Sequence, residues 1–546
     1  MRILAKYGEG RYVGITGNTQ FHLPAEAETP VGLTRPKALA PPQVVVCDNP
    51  QQARLSMRMS QFVSACLIAL ALHSIPAAAQ AVLPIPPPAS IPLVLAGGTV
   101  VDVTGWGDSA RDLPNAVVII RDGRITDVGA AQDLPVPKGA RVIDCTGKYV
   151  IPGLVDGFAG LNSQAEASAN LYMGVTTVVA RADNERGYID LSASPGPHIY
   201  PIDSAGVTDN WSLLAHRPDW ISRLREGTHP VELAPDETAR QIADTAAIGT
   251  RVLLLGPRVT AANAQWIVAR ARELHLATYG DFVSTPYRVA IDAGVDVLVH
   301  MGDYELGVTP DELQTPLVDD PYGASAVTAR DYSERIPPTD AHLRNYARFI
   351  ASRHAALMPT FSLYYAELPG HRNLWEEPAA SLLSPSRMFN PTDPATGDMN
   401  YPLPQWTRHL PAAGQRWMEA DLQKKAGQAA IRLWRINQTL FAAFPHYLAG
   451  SGADVSGSMP GISLHTELEL LVRLGLSPRE ALAAATNNYA QQLGWTELGQ
   501  IAPGRRADIL VVDADPTQNI WNARHISTLI LDGNIVDRDA LLRARK

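Results

Sequence analysis

Hydrophobic positions change their period along this chain. From Leu93 to Val150, short β-branched runs are broken by Gly and Asp-Gly turns: LVLAGGTVVDV, NAVVIIRDGRITDVG and ARVIDCTGKYVIPG. Such runs predict strands joined by tight turns. The same texture returns at the C-terminus in GQIAPGRRADILVVDADP and ISTLILDGNIVDRDAL. Between them the pattern alternates. Apolar runs stand at 174–181, 250–256, 276–280, 296–302, 355–362 and 446–452. Helical periods separate some of them, at 261–275 and 285–294, and Leu464–Leu474 and Pro478–Leu493 read as helices. In Leu464–Leu474, Leu464, Leu468, Leu471 and Val472 mark the core side, so Glu467 and Glu469 are expected on the solvated side. Strand–helix alternation over this length predicts an α/β fold with a parallel (β/α)8 barrel. The stretch 308–445 exceeds what two strand–helix units need, which predicts a lid or subdomain over the barrel mouth.

The first ninety residues have a different character. Met57 to Gln80 combines Arg58, an apolar run from Phe62 to Leu72, and Ala77-Ala78-Ala79. That is the design of a secretory signal peptide, too short to span a bilayer. The expected division is therefore a start-site extension without order at 1–56, a signal at 57–79 and a Pro-rich linker at 80–92. A sheet domain follows from 93–150 plus 500–546, and a barrel at 151–499. Export to a periplasmic or extracellular space is the implied destination, with translation starting at Met57 or Met59 and a mature N-terminus near Gln80. Only Cys145 follows the expected cleavage point, so the exported chain would have no internal disulfide. The chain has 546 residues and a net charge of −9, with acids and bases interspersed. That balance argues against nucleic-acid binding, which wants a basic face.

The motifs GKYVIPGLVD, GVTTVV, PGISLHTELELLVRLGLSPREALAAATNNYAQQLG and GQIAPGRRADILVVDADP, in this order, resemble the amidohydrolase superfamily, in its imidazolonepropionase-like and prolidase-like branch. The resemblance covers about residues 93–540. It implies a TIM-like barrel inserted in a small β-sandwich built from both chain ends. It also implies hydrolysis of C–N bonds at the barrel mouth by one or two divalent metals, often zinc. Two His separated by one residue face the same side of a strand and reach one ion, and the ion lowers the pKa of bound water.

Here that donor set is depleted. Gly157 and Ala159 stand where the resemblance expects the two strand-1 histidines, and Gly280 stands at the strand-5 histidine. No Lys lies between Lys148 and Lys424, so strand 4 has none to bridge two metals. Gly452 stands at the strand-8 aspartate, with Asp454 two residues on as the alternative register. His300 alone is retained, and Asp156 matches the family at the end of strand 1. The sequence thus predicts no bound cofactor, and small residues at four positions predict a widened mouth. His300 and Asp454 are the candidate catalytic residues. Asp183, His198, Asp203 and Asp281 are further donors by type, with His198 expected to approach the mouth and Asp281 to face away from it. His354, His371, His409 and His446 show no ligand spacing, and Cys145 is expected to be inert in the sheet part.

Three functions follow. The first is an exported, metal-free pseudoenzyme that binds a small ligand or an active amidohydrolase paralogue, with self-association left open. The second is a working hydrolase of non-peptide or dipeptide C–N bonds with a remodelled site. The third is an interaction protein whose mouth is filled by side chains.

Overall fold

The computed structural model describes residues 4–7, 11–14, 91–181, 195–207 and 232–543, apart from a few short gaps within the last range. The expected signal peptide lies outside the described residues, as do most of the expected extension and linker and Asp183, His409 and Asp454. Near the N-terminus, β1 (Leu4–Tyr7) and β2 (Arg11–Gly14) pair antiparallel.

Both ends of the chain build one sheet. Its N-terminal strands are β3 (Leu93–Val100), β4 (Leu113–Arg121), β5 (Arg124–Ala130), β6 (Arg141–Asp144) and β7 (Tyr149–Pro152). The barrel strands follow: β8 (Leu154–Gly160), β9 (Val175–Arg181), β10 (His198–Ser204), β11 (Val252–Leu255), β12 (Ala277–Gly280), β13 (Val297–Val299) and β14 (Ala356–Met358). The chain then returns to the first sheet with β15 (Ile509–Val512), β16 (Ile526–Leu531) and β17 (Asn534–Val536). That sheet runs β17-β16-β15-β7-β3-β4-β5, with β6 also on β3. The antiparallel pair β15–β7 joins the two chain ends. Side chains alternate as the period-2 pattern requires. Leu93, Leu95, Val118 and Ile120 form one cluster, while Val94, Val117 and Ile119 form another.

The seven barrel strands are all parallel, in sequence order. Residues 446–453 close the ring. Leu357 donates its N–H to His446 O (2.8 Å) on one side. On the other, Gly157 donates to Ala449 O (3.1 Å) and Gly452 to Phe158 O (2.7 Å). The 446–452 run is therefore the eighth stave. Strand β10 had no clear signal, because His198, Pro201, Asp203 and Ser204 interrupt its apolar alternation.

The barrel interior is filled by Val155, Val179, Tyr200, Ile202, Val252, Leu254, Tyr279, Val297, Val299, Met358, Leu448 and Tyr489. The alternate residues, such as Leu253, Leu255 and Leu298, pack outward on the helices. Helices start where the sequence supplies caps. Ser163 accepts from Glu166 N (3.2 Å), and Ser477 with Glu480 forms a reciprocal capping box. The expected helix 478–493 is two helices, Pro478–Ala484 and Asn487–Leu493. The long stretch after β13 carries several short helices and a 30-residue helix, Ala412–Phe441. Among the described residues, no helix is long and apolar enough to cross a membrane.

Candidate active site

The mouth lies at the C-terminal ends of the barrel strands, where this architecture holds its chemistry. The expected widening is not what the structure shows. A Cβ on Gly157 would lie 1.7 Å from the Tyr489 hydroxyl oxygen and 2.7 Å from Met358 Cε. Tyr489 is fully buried, and its hydroxyl donates to Ala449 O (2.5 Å) on the eighth stave. A Cβ on Gly450 would meet Met358 Sδ at 2.5 Å. Gly452 sits at φ +65°, and a Cβ there would meet Leu363 at 2.8 Å. A side chain at 452 would face both backbone strain and a filled space. Ala159 is buried in the apolar core. Gly157, Gly450 and Gly452 are thus each matched by larger neighbours.

Strand β12 adds a correction of register. Ala277 and Tyr279 face the barrel interior, so in strict alternation position 281 follows them and position 280 does not. A Cβ on Gly280 would lie 2.2 Å from the Phe282 ring, which belongs to the core outside the barrel. Asp281, expected to face away, is the residue on the interior side.

His300 follows β13 at φ +64° and is 4% exposed. Its Nδ1 shares a hydrogen bond with Thr360 Oγ1 (2.8 Å), and Phe158 meets its ring edge-on at 4.8 Å. Its Nε2 is buried without a hydrogen-bond partner. Desolvation pushes its pKa down to about 4, so the imidazole is neutral at pH 7.

Asp303 acts on the His300 ring through its charge, and further buried carboxyl groups belong to the barrel and its helices. Asp281 is buried, and desolvation and the Asp303 carboxylate beside it hold its pKa well above the usual range. Asp303 pairs with Arg330, which also donates to Gly302 O (2.5 Å). The charges of this pair reach both Asp281 and His300. Asp156 accepts from Ser451 N (2.8 Å) through Oδ1, while Oδ2 has no hydrogen-bond partner. Burial raises its pKa to about 6. Glu467 is fully buried, contrary to the expectation of a solvated side. Its Oε2 accepts from Ser362 N (2.8 Å), and burial pushes its pKa up to about 8. Glu469 pairs with Arg372 at 3.5 Å.

These residues do not fit the family's metal centre. Gly157 and Gly452 offer neither donor nor room, Ala159 offers no donor, and on β12 the interior position carries Asp281 rather than an imidazole. His300 is the one imidazole kept from that set, whereas zinc takes three or four protein ligands. Two cavities among the described residues lie elsewhere. One of about 610 Å³ sits at the opposite end of the barrel, beside Arg251, Arg272, Asp296 and Trp495. A smaller one of about 220 Å³ lies beside Ser163, Glu166, Leu383 and Ser386. His300 lines neither.

His198 does not approach the mouth. It opens β10 at the N-terminal end of the barrel, beside Asp508 and Asp532. Asp203 accepts from Ser204 N (3.0 Å) within its own strand. Cys145 is buried in the sheet, where desolvation raises its thiol pKa to about 11. The filling residues Tyr489, Met358 and Leu363 had no sequence signal, since each reads as ordinary core.

The Amidohydrolase family model matches residues 449–536. An imidazolonepropionase of Deinococcus deserti is 35% identical over 135 residues, 21% of this chain and 34% of that protein. The match thus spans about a third of that relative's length. An imidazolonepropionase of Klebsiella pneumoniae is 24% identical over 75% of this chain and 89% of its own length. Among solved structures, molinate hydrolase aligns with a TM-score of 0.54 at 17% identity, over 84% of this chain and 98% of that one. The bottromycin amidohydrolase aligns with 0.55 at 17% identity, over 82% and 87%. These two show the fold. In sequence the chain is similar to imidazolonepropionases and, over residues 449–536, to the Amidohydrolase family.

Proposed function

We propose that this protein is a pseudoenzyme of the amidohydrolase superfamily with no metal at its barrel mouth, exported, which recognises a small polar ligand or a partner subunit without cleaving it. The observation that carries this is at Gly157. The space a metal-binding imidazole would need is held by the Tyr489 hydroxyl, 1.7 Å from where a Cβ would stand. A hydrolase of this design needs an ion to lower the pKa of water and polarise the carbonyl, and the mouth supplies neither ligands nor room. An active paralogue of the same fold is the partner this reading favours, since the scaffold keeps the family's sheet and barrel. Self-association belongs to the same question. Export depends on residues 57–79 and is checked by mass spectrometry of the mature N-terminus, expected near Gln80.

One observation favours a second reading, a remodelled hydrolase of C–N bonds. Asp281 and His300 are buried beside the Asp303–Arg330 pair, with the Asp281 pKa held well above the usual carboxylate range and one imidazole nitrogen unpartnered. An acid and a base held apart in pKa are the elements of proton-transfer catalysis. Turnover assays on amides, cyclic imides and dipeptides decide between the two. The pseudoenzyme reading expects no turnover above background. Turnover by wild type that His300→Ala or Asp281→Asn abolishes would establish the remodelled hydrolase. The same assay with Asp454→Ala tests the other candidate from the sequence.

A further inference from the structure

A different set of metal-ligating side chains meets at the underside of the barrel. His198 opens β10, Asp508 stands one residue before β15, and Asp532 stands in the turn between β16 and β17. His198 Nε2 lies 3.2 Å from Asp508 Oδ2 and 3.6 Å from Asp532 Oδ1. One donor atom from each residue lies within 4.8 Å of the other two. We propose that His198, Asp508 and Asp532 form a divalent-cation site, with zinc the favoured ion, that ties the sheet to the barrel.

Zinc binds imidazole nitrogen and carboxylate oxygen at roughly 2.0–2.2 Å, which puts tetrahedral neighbours about 3.3–3.5 Å apart. The two His198–carboxylate separations bracket that range, and the two carboxylate oxygens lie within 4.8 Å of each other. An imidazole and few oxygens suit zinc better than calcium or magnesium, which want six or more oxygen ligands. Three protein ligands leave a fourth position for water.

The surroundings are those of a supported site. Arg506 donates from Nε to Asp508 Oδ2 and from Nη2 to Thr177 Oγ1 (3.0 Å), which fixes the carboxylate against the barrel. Asp532 N donates to Asp508 Oδ1 (2.9 Å), which sets the turn. Ligating carboxylates are commonly held by such outer partners. Two carboxylates against the one guanidinium paired with them leave a local charge of −1, so a dication is electrostatically welcome. His198 and Asp532 side chains are 23% and 53% exposed, which gives the ion a path in.

The function would be structural. Asp508 and Asp532 belong to the C-terminal part of the sheet and His198 to the barrel, so the ion would join segments more than 300 residues apart in the chain. The same geometry also describes a metal-free cluster in which a protonated imidazole bridges two carboxylates. Zinc titration separates them.

The full-length protein is stripped with chelator, dialysed and titrated with zinc, while bound metal and the thermal midpoint are measured. The expected result is one zinc per chain and a raised midpoint. His198→Ala and Asp532→Asn should each weaken binding by roughly tenfold or more and abolish the midpoint shift. His300→Ala should leave both unchanged. Asp532→Asn keeps the size of the side chain, so it decides the matter if His198→Ala does not fold. Absence of bound zinc, or equal uptake by Asp532→Asn and wild type, overturns the site. Zinc lost only in His300→Ala would place the ion at the mouth and overturn the reading of a metal-free mouth as well. Turnover without any change in the zinc results would overturn the pseudoenzyme reading alone.

Discussion

At the scale of single residues, glycine at the mouth is compensated rather than vacant. Gly157 lies against Tyr489 and Met358. Adding one methyl at this position must displace a buried ring whose hydroxyl is itself bonded to Ala449 O. Gly157→Ala should therefore destabilise the protein by about 1–3 kcal/mol, the usual cost of overpacking. In a Tyr489→Phe background the nearest clash disappears, although the ring carbon 2.6 Å away persists. The penalty should then fall in part, as a double-mutant cycle by urea denaturation would show. Equal penalties in both backgrounds would mean that Tyr489 does not hold that space. Glu467 permits a second test. Its pKa rises from 4.5 in the unfolded chain to about 8 in the fold. Below pH 4.5 both states are protonated and the group has no effect. As pH rises from 4.5 to 8 the unfolded state ionises first, so stability is lost across that window. Glu467→Gln cannot ionise and should gain on wild type over the same window, by on the order of a few kcal/mol at pH 9. Urea midpoints at pH 5, 7 and 9 check this. A difference that does not change with pH would refute it.

At the scale of elements, the closing stave is the least regular part of the barrel and the most dependent on side chains. Residues 446–453 pair with both neighbours but form no regular strand, and at Ser451 the N–H goes to Asp156 Oδ1 instead of to backbone. Asp156→Ala would leave that N–H buried and unpaired, at about 1–3 kcal/mol. Amide exchange at Ser451 and Gly452 should accelerate well before the β9–β12 ladder opens. Uniform exchange across the barrel would show that the seam has no separate stability. What was legible in the sequence divides at this scale. Strand and helix patterns depend on neighbours two to four residues apart, so β11, β12 and the helix Ala261–Glu273 stood out. The filling of the mouth did not, because Tyr489 comes from a helix 332 positions after Gly157 in the chain (489 − 157). The loss of donors at 157 and 159 could be read directly, whereas the side of the strand on which Asp281 lies needed the register of β12. Glu467 was misplaced for a related reason. Helical spacing gives one apolar face, but this helix is buried almost all round.

At the scale of the whole molecule, one sheet made from both chain ends makes the barrel's stability conditional on the C-terminus. Strand β15 pairs with β7, and Leu510, Val512 and Leu529 belong to the same core as the outer side of the barrel. The contact is close. A Cβ on Gly174, just before β9, would meet Ile526 Cδ1 and Leu510 Cδ1 at 2.7 Å. Arg538 donates from Nε (3.1 Å) and Nη2 (2.7 Å) to Tyr172 O. Burying each large aliphatic side chain contributes about 1.5–3 kcal/mol. The four residues Leu510, Val512, Ile526 and Leu529 together approach the whole stability of an ordinary domain, about 5–15 kcal/mol. A chain ending at residue 504 should consequently not retain a folded barrel, even though every barrel strand is present. Circular dichroism and thermal unfolding of the truncated protein provide the measurement. The full chain should unfold in one transition that includes sheet and barrel. The truncated chain should show no cooperative transition at all. A sharp transition at the wild-type midpoint would show instead that the barrel stands alone and that the sheet merely decorates it.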